Sequence, residues 1–243
     1  DAGDTSTHDG GYSRIRQRLW KMGVRKIDVL FLSHPHLDHQ GAVPGLIQQG
    51  VLKNIVVTNS YDSFATGRSM LELARRYQIP VTRLQRGQTW KVEDFRITVI
   101  SDGIPQHLGP TANDLSPLML IERAGTAFLT TGDATAPVLA STSILGPLGH
   151  ALLPHHGAPT EGVASWLGAL QPSHLWVARK EPIPRQTDVQ LIQYSGYRVF
   201  FHGAVWKEKS GCPAEKDIQF LNSRQFVIFQ MPSSAYRKAK GSP

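Results

Sequence analysis

Short runs of consecutive apolar residues punctuate the chain at intervals. Residues 27–32, 54–58, 95–100, 118–121, 127–130, 150–153, 174–178, 197–201 and 225–229 are brief and rich in Val, Ile, Leu or Phe. That is the pattern of buried strands. Between them apolar residues recur at helical spacing. Residues 12–22 place Ile15, Leu19 and Met22 on one face and stop at Gly23, a helix with its terminator. Residues 42–49, 69–77, 137–142, 162–170 and 187–194 read as further helices. Strands alternating with helices predict an α/β fold in which helices cover the sheets. There is no internal repeat and no composition break, so one domain is expected over residues 1–232. Residues 233–243, SSAYRKAKGSP, form a flexible basic tail.

Composition narrows this picture. The chain has 243 residues, 40% of them hydrophobic and 19% charged, too apolar for a disordered segment and long enough for a sizeable core. Its one cysteine, Cys212, excludes an internal disulfide framework and any cysteine-rich metal site. No apolar run reaches the ~18 residues of a membrane-spanning helix, and the opening DAGDTSTHDGG is too polar for a signal peptide. Lys and Arg total 26 against 19 Asp and Glu, a net charge of +7. Three basic sets carry much of it: Arg14, Arg16, Arg18, Lys21, Arg25 and Lys26; Arg68, Arg75, Arg76, Arg83 and Arg86; and Arg237, Lys238 and Lys240. Such sets either track a phosphate backbone or are solvated helix faces. Trp166, Trp176 and Trp206 are read as core residues before stacking platforms.

The chemistry concentrates where residues 27–39 read IDVLFLSHPHLDH. A strand runs directly into His34, His36, Asp38 and His39. Imidazole nitrogens and carboxylate oxygens are natural ligands of zinc, manganese and iron. Alternate positions of an extended loop point the same way, so His34, His36 and Asp38 converge while His39 turns to a neighbouring position. That arrangement suits two metal ions.

The segment SHPHLDH resembles the signature of the metallo-β-lactamase superfamily of two-metal hydrolases. Further segments agree in order: Asp1-Ala2-Gly3, Asn113-Asp114-Leu115-Ser116, Thr131-Gly132-Asp133 and Pro154-His155-His156-Gly157. Together they are similar to the C-terminal nuclease-like domain of the ComEC/Rec2 family of bacterial competence DNA-uptake channels, over roughly residues 1–205. The resemblance implies an αββα sandwich: two mixed β-sheets face to face, with helices on the outer faces. It implies that His34 and His36 hold one divalent ion (Mn2+ or Zn2+), that Asp38 and His39 hold a second, and that Asp133 bridges them. His156 would contact a phosphate oxygen or protonate the leaving oxygen, with Asp38, Asp133 and His156 as the catalytic set. Asn113 stands where many members carry a third histidine. Asn113, His155 and Arg185 would be additional ligand or substrate contacts, and Asp1 would orient the metal loop from behind. Two departures stand out. Residues 181–186, EPIPRQ, lack the late histidine that completes the second site in that group, which predicts a weak second site. The two strands that precede D-x-G in the group are also missing.

By resemblance, the chain is a sequence-nonspecific DNA phosphodiesterase. It would degrade one strand during natural transformation, contact single-stranded DNA through its backbone, and belong to a bacterial membrane channel at the membrane surface. Two alternatives stand beside this. One is a small-molecule metallo-hydrolase such as a lactonase, thioesterase or cyclic phosphodiesterase. The other is a catalytically degenerate DNA-binding or channel-supporting domain. His107 is read as a plain loop residue, and the oligomeric state is not legible.

Overall fold

The computed structural model describes residues 2–178 except 4, 6, 141–147 and 159, together with the backbone of strand residues 198–202. The expected helix at 187–194, the strand at 225–229, the tail at 233–243, and Asp1, Arg185 and Trp206 lie outside the described residues.

Two sheets form. The smaller has strands β1 (Leu30–Phe31), β2 (Ile55–Val57) and β3 (Val81–Arg83), in that order and parallel throughout. Parallel neighbours need crossover segments. These are the helices α2 (Leu37–Gln40) and α3 (Val43–Gln48) before β2, and α4 (Ala65–Arg76) before β3. The larger sheet is mixed. β4 (Thr89–Val92), β5 (Phe95–Ser101), β6 (Leu118–Arg123) and β7 (Thr126–Thr130) make an antiparallel meander. From β7 it continues in parallel through β8 (His150–Leu152), β9 (His174–Ala178) and β10 (Arg198–His202). The expectation of two mixed sheets therefore holds for the larger one. In the smaller, every described connection is helical, so its described strands run one way.

Three apolar clusters define four layers. Leu19 of α1 (Tyr12–Lys21), Val43, Leu46 and Ile47 of α3, and Met70 and Ala74 of α4 cover Ile55 and Val57 on the outer side of the smaller sheet. Val29, Val56 and Leu84 meet Trp90, Val92, Ile97 and Val99 between the sheets. Val138 and Leu139 of α5 (Ala136–Ala140), with Val163, Trp166, Leu167 and Leu170 of α6 (Val163–Leu170), cover Leu129, Ala151, Leu175 and Val177 on the far side. Alternation along each central strand turns one set of side chains to the opposite sheet and the other to a helix layer. The order is helix, sheet, sheet, helix, as expected.

Some local readings differ. The strand expected over 27–32 is an isolated bridge from Ile27 to Leu52 followed by two paired residues. Between them the Asn54 amide donates to the Asp28 carbonyl at 2.8 Å, and Lys53 pairs with the Asp28 carboxylate at 2.7 Å. Side chains thus replace the ladder there. The short strands β3 and β4 have no counterpart among the elements expected from the apolar pattern. Trp176, expected in the core, is only half-buried, while Trp166 is buried.

Candidate metal centre

β1 delivers the chain to the site. The Leu32 N–H still bonds the Val56 carbonyl at 2.9 Å; then Ser33 and buried His34 follow. His36 has an extended backbone and N-caps α2. The loop is therefore not extended throughout, as the spacing argument supposes. One helical turn carries Asp38 and His39 away from the alternation of His34 and His36. Buried polar contacts hold that turn. Gln40 Nε2 donates to the Pro35 carbonyl at 2.9 Å, Thr66 Oγ1 donates to the same oxygen at 2.8 Å, and Tyr61 OH donates to Gln40 Oε1 at 2.6 Å. The opening D-A-G segment docks alongside: the Ala2 N–H bonds the His39 carbonyl at 3.1 Å, and the Ala42 N–H bonds the Ala2 carbonyl at 2.8 Å. A Cβ on Gly3 would lie 2.0 Å from the Leu37 carbonyl oxygen, so only glycine permits this approach.

Two strands of the larger sheet bring the remaining donors. Asp133 follows β7 and is buried. The P-H-H-G turn follows β8, where His155, His156 and Gly157 all have positive φ, at 52°, 53° and 74°. Successive left-handed residues are costly for side chains with a Cβ and collect at functional sites. Here the turn swings the His156 ring inward. Its Nδ1 donates to the Ala178 carbonyl at the end of β9, at 2.6 Å. That leaves Nε2 3.5 Å from Asp38 Oδ2 and 3.6 Å from Asp133 Oδ1. A backbone acceptor on one ring nitrogen, aiming the other into the site, is the usual support of a ligating histidine.

The donor atoms fall into two groups that share Asp133. One contains His34, His36 and Asp133; the other contains Asp38, His39, Asp133 and His156; within each group the atoms lie within 4.8 Å of one another. In the first, His34 Nε2 is 3.0 Å from His36 Nδ1 and 3.6 Å from Asp133 Oδ2. In the second, His39 Nε2 is 3.3 Å from Asp133 Oδ2 and 3.6 Å from Asp38 Oδ2. The geometry thus places His156 Nε2 among the candidate donors of the second group. It also gives the second group a fourth member without the late histidine.

Electrostatics agree with a set prepared for cations. Burial, followed by the neighbouring His39, pushes His34 down to about 3, so its imidazole is neutral near pH 7,. The His156 hydrogen bond holds the Asp38 carboxyl far below its ordinary range, and Asp38 in turn raises His156. For Asp133, burial works upward, but the His39 hydrogen bond and the surrounding imidazoles overcome it and lower the carboxyl. Neutral imidazoles and ionised carboxylates are the forms that ligate metal; His34, Asp38 and Asp133 are shifted toward those forms, whereas the shift of His156 favours its charged form while Asp38 is its partner. The Asn113 Oδ1 atom is buried and accepts no hydrogen bond among the described residues, which fits an oxygen reserved for a ligand or its water. Its turn is tied down by Asp114, which accepts from the Thr111 N–H at 2.7 Å, from the Thr111 hydroxyl at 2.6 Å and from the Thr135 hydroxyl.

A family model described as the metallo-beta-lactamase superfamily matches residues 8–172. The chain belongs to the metallo-β-lactamase superfamily. Members usually bind divalent metals, and the nitrogen and oxygen donors assembled here fit such ions,; the protein is a metal-dependent hydrolase by class. Among curated proteins it is similar to ComE operon protein 3 of Bacillus subtilis, 24% identical over 189 residues. That match covers 74% of this chain and 24% of the relative, so the chain spans about a quarter of the relative's length. Among solved structures it is similar to the metallo-β-lactamase-fold protein YhfI of Bacillus subtilis (TM-score 0.48, 14% identity, 79% of this chain and 83% of that one). It is also similar to CmlA, a diiron β-hydroxylase of Streptomyces venezuelae (TM-score 0.43, 15% identity, 63% of this chain and 35% of that one).

Other expected residues are placed as follows in this superfamily member. The His155 ring joins neither donor group; its backbone N–H bonds the Gly132 carbonyl at 3.1 Å, clipping the two loops together. His107 lies on an exposed turn, away from both groups. Much of the second basic set is engaged by the protein itself: Arg75 and Arg76 pair with Glu72, Arg83 with Asp62, and Arg68 caps the carbonyls of Asp62 and Ser63. Two residues that the sequence does not single out belong here as well. Ser33 touches His34 and His39 directly, and Ser116 touches His34. Ser116 is legible only as a motif letter.

Proposed function

We propose that this chain is a two-metal phosphodiesterase that hydrolyses DNA without sequence preference, as one domain of a ComEC-type uptake channel in a bacterial membrane. The observation that carries the reading is Asp133, the carboxylate shared between two donor groups. A pair of divalent ions supplies Lewis acidity and lowers the pKa of water toward neutrality. The chain's residues do the rest. Asp133 is buried and hydrogen-bonded through its backbone; its Oδ2 borders both groups, 3.6 Å from His34 Nε2 and 3.3 Å from His39 Nε2, while its Oδ1 lies 3.6 Å from His156 Nε2. His34 is neutral by burial and keeps a lone pair available. Asp38 and His156, the more exposed members of the second group, line the side from which a phosphodiester would enter.

Polyanion binding is supported by α1. No acidic residue lies between Asp9 and Asp28, while six Lys or Arg do. Trp20 is 47% exposed, with the Arg16 guanidinium 3.9 Å and the Arg25 guanidinium 5.2 Å from its ring centroid. Exposed aromatics framed by arginine are what single strands use for backbone and base contacts. The similarity to a competence operon protein supports the uptake context. Among the described residues no helix is long and apolar enough to cross a membrane, so the membrane location is proposed through the rest of such a channel.

The test is degradation of single-stranded DNA across a metal series with and without EDTA, beside a panel of small esters. Cleavage is expected with Mn2+ or Zn2+, lost with EDTA and lost in Asp133→Ala. Metal-dependent turnover of small esters with intact DNA would overturn the nuclease reading. A metal content below one ion per chain after soaking would overturn the two-metal reading.

A further inference from the structure

Beneath the donor groups lie two hydroxyls that belong to opposite sheets. Ser33 leaves β1 of the smaller sheet, and buried Ser116 precedes β6 of the larger. Ser33 Oγ is 3.1 Å from His34 Nδ1 and 3.2 Å from His39 Nδ1. Ser116 Oγ is 3.2 Å from His34 Nδ1 and accepts the Asp133 backbone N–H at 3.1 Å. Between them sits Gly132, with φ +51°. A Cβ there would lie 3.0 Å from Ser33 Cβ and 3.1 Å from both Cβ and Oγ of Ser116. The glycine therefore has two reasons to be a glycine: its left-handed backbone, and the room it leaves for both serines.

We propose that Ser33 and Ser116, spaced by Gly132, are positioning residues that accept protons from His34 and His39 at Nδ1 and hold Asp133 by its backbone. A hydroxyl oxygen has two lone pairs. One lone pair of Ser116 Oγ is taken by the Asp133 backbone N–H, and its second, 3.2 Å from His34 Nδ1, shares that ring's Nδ1–H with Ser33 Oγ. Ser33 Oγ lies between two Nδ1 atoms and satisfies both by accepting from each. With both protons fixed on Nδ1, the Nε2 lone pairs of His34 and His39 face the donor groups, where their distances to Asp133 place them. Two sheets thus set the tautomer and aim of three ligands before any cation arrives. The inference rests on the reading that these groups hold metal.

Long-range 1H–15N spectra of the metal-free protein test the arrangement directly. His34 and His39 are expected as Nδ1–H tautomers in the wild type. Ser116→Ala should disturb His34 alone, and Ser33→Ala should disturb both rings. Calorimetric titration with Zn2+ should show affinity weakened ~10–100-fold by either alanine, with Ser33→Thr, which keeps the hydroxyl, within about threefold of wild type. Nε2–H tautomers in the wild type would overturn the proposal even if no variant folded. So would alanine variants with unchanged tautomers and affinity. A wild type that binds no divalent ion would instead sink the metal reading, while the tautomer spectra would still decide whether the serines set the two rings.

Discussion

Tyr61 is completely buried, and its single polar atom reaches across to the turn that carries Asp38 and His39. Burial pushes its phenol upward, so the proton stays available to donate to Gln40. Removing it leaves the Gln40 carbonyl oxygen buried without that donor. Tyr61→Phe should therefore lower stability by about 1–3 kcal/mol, read as a drop in urea midpoint with unchanged slope; an unchanged midpoint would show that the network is slack. The legibility of single residues follows a similar logic. His34, His36, Asp38, His39 and Asp133 are readable because ligand types cluster after strands. The place of His156 among the donors is not, because it depends on two consecutive left-handed residues, which nothing in the letters H-H-G requires. The role of Ser116 is hidden for another reason: its partner His34 lies 82 positions away.

Among the elements, α1 is foreseeable almost to its ends because Ile15, Leu19 and the stop at Gly23 leave one register. α4 starts a turn earlier than its apolar spacing indicates, at Ala65. The polar Thr66 there bonds the Pro35 carbonyl, a tertiary anchor with no periodic signature. β4 carries a real signal, since Thr89, Trp90, Lys91 and Val92 alternate and are buried in alternation; four residues are too few to register. The basic sets likewise part company only once paired. Arg75 and Arg76 of α4 direct their charge to Glu72, whereas Arg16 and Arg25 stack on the exposed Trp20. Replacing both by glutamate should weaken single-stranded DNA binding at least tenfold at low salt and flatten its dependence on salt concentration. Fluorescence anisotropy across a salt series measures both, and Arg75→Glu should change neither by more than about twofold. Equal losses in the two variants would remove α1 from the account of DNA binding.

At the scale of the molecule, the donors come from both sheets, so a bound cation ties the layers together. Ligands that bind only the folded state raise stability in proportion to the logarithm of their concentration. The melting temperature should therefore climb with added Zn2+ and fall back with EDTA in the wild type, but stay flat in Asp133→Ala. Acid works in the opposite sense. His34 drops to about 3 on folding and the carboxyls of Asp38 and Asp133 are also lowered, so at these three groups the unfolded chain binds more protons than the folded one, while His156, raised by Asp38, works the other way. The contribution of His34 is complete above the unfolded histidine value, near 6.5, and drains away as pH falls from there toward 3. Metal-free protein should melt at least about 5 °C lower at pH 5 than at pH 7.5; equal melting temperatures would contradict the neutral, buried imidazole. The layered fold itself is legible from alternating strands and helices, while the all-parallel pairing of the smaller sheet is not, because short apolar runs do not declare their direction.

In both sheets, the described strands lie beside their immediate described predecessors in the chain, running β1 to β3 in one and β4 to β10 in the other. A ribosome can thus hand over each strand to a neighbour already waiting, with no long search. The histidines of the first sheet emerge well ahead of Asp133, the residue that would let them share a charge. A nascent chain holds only fragments of a chelating set until Asp133 and then His156 have emerged, so any capture of metal by the full set has to wait for the second sheet.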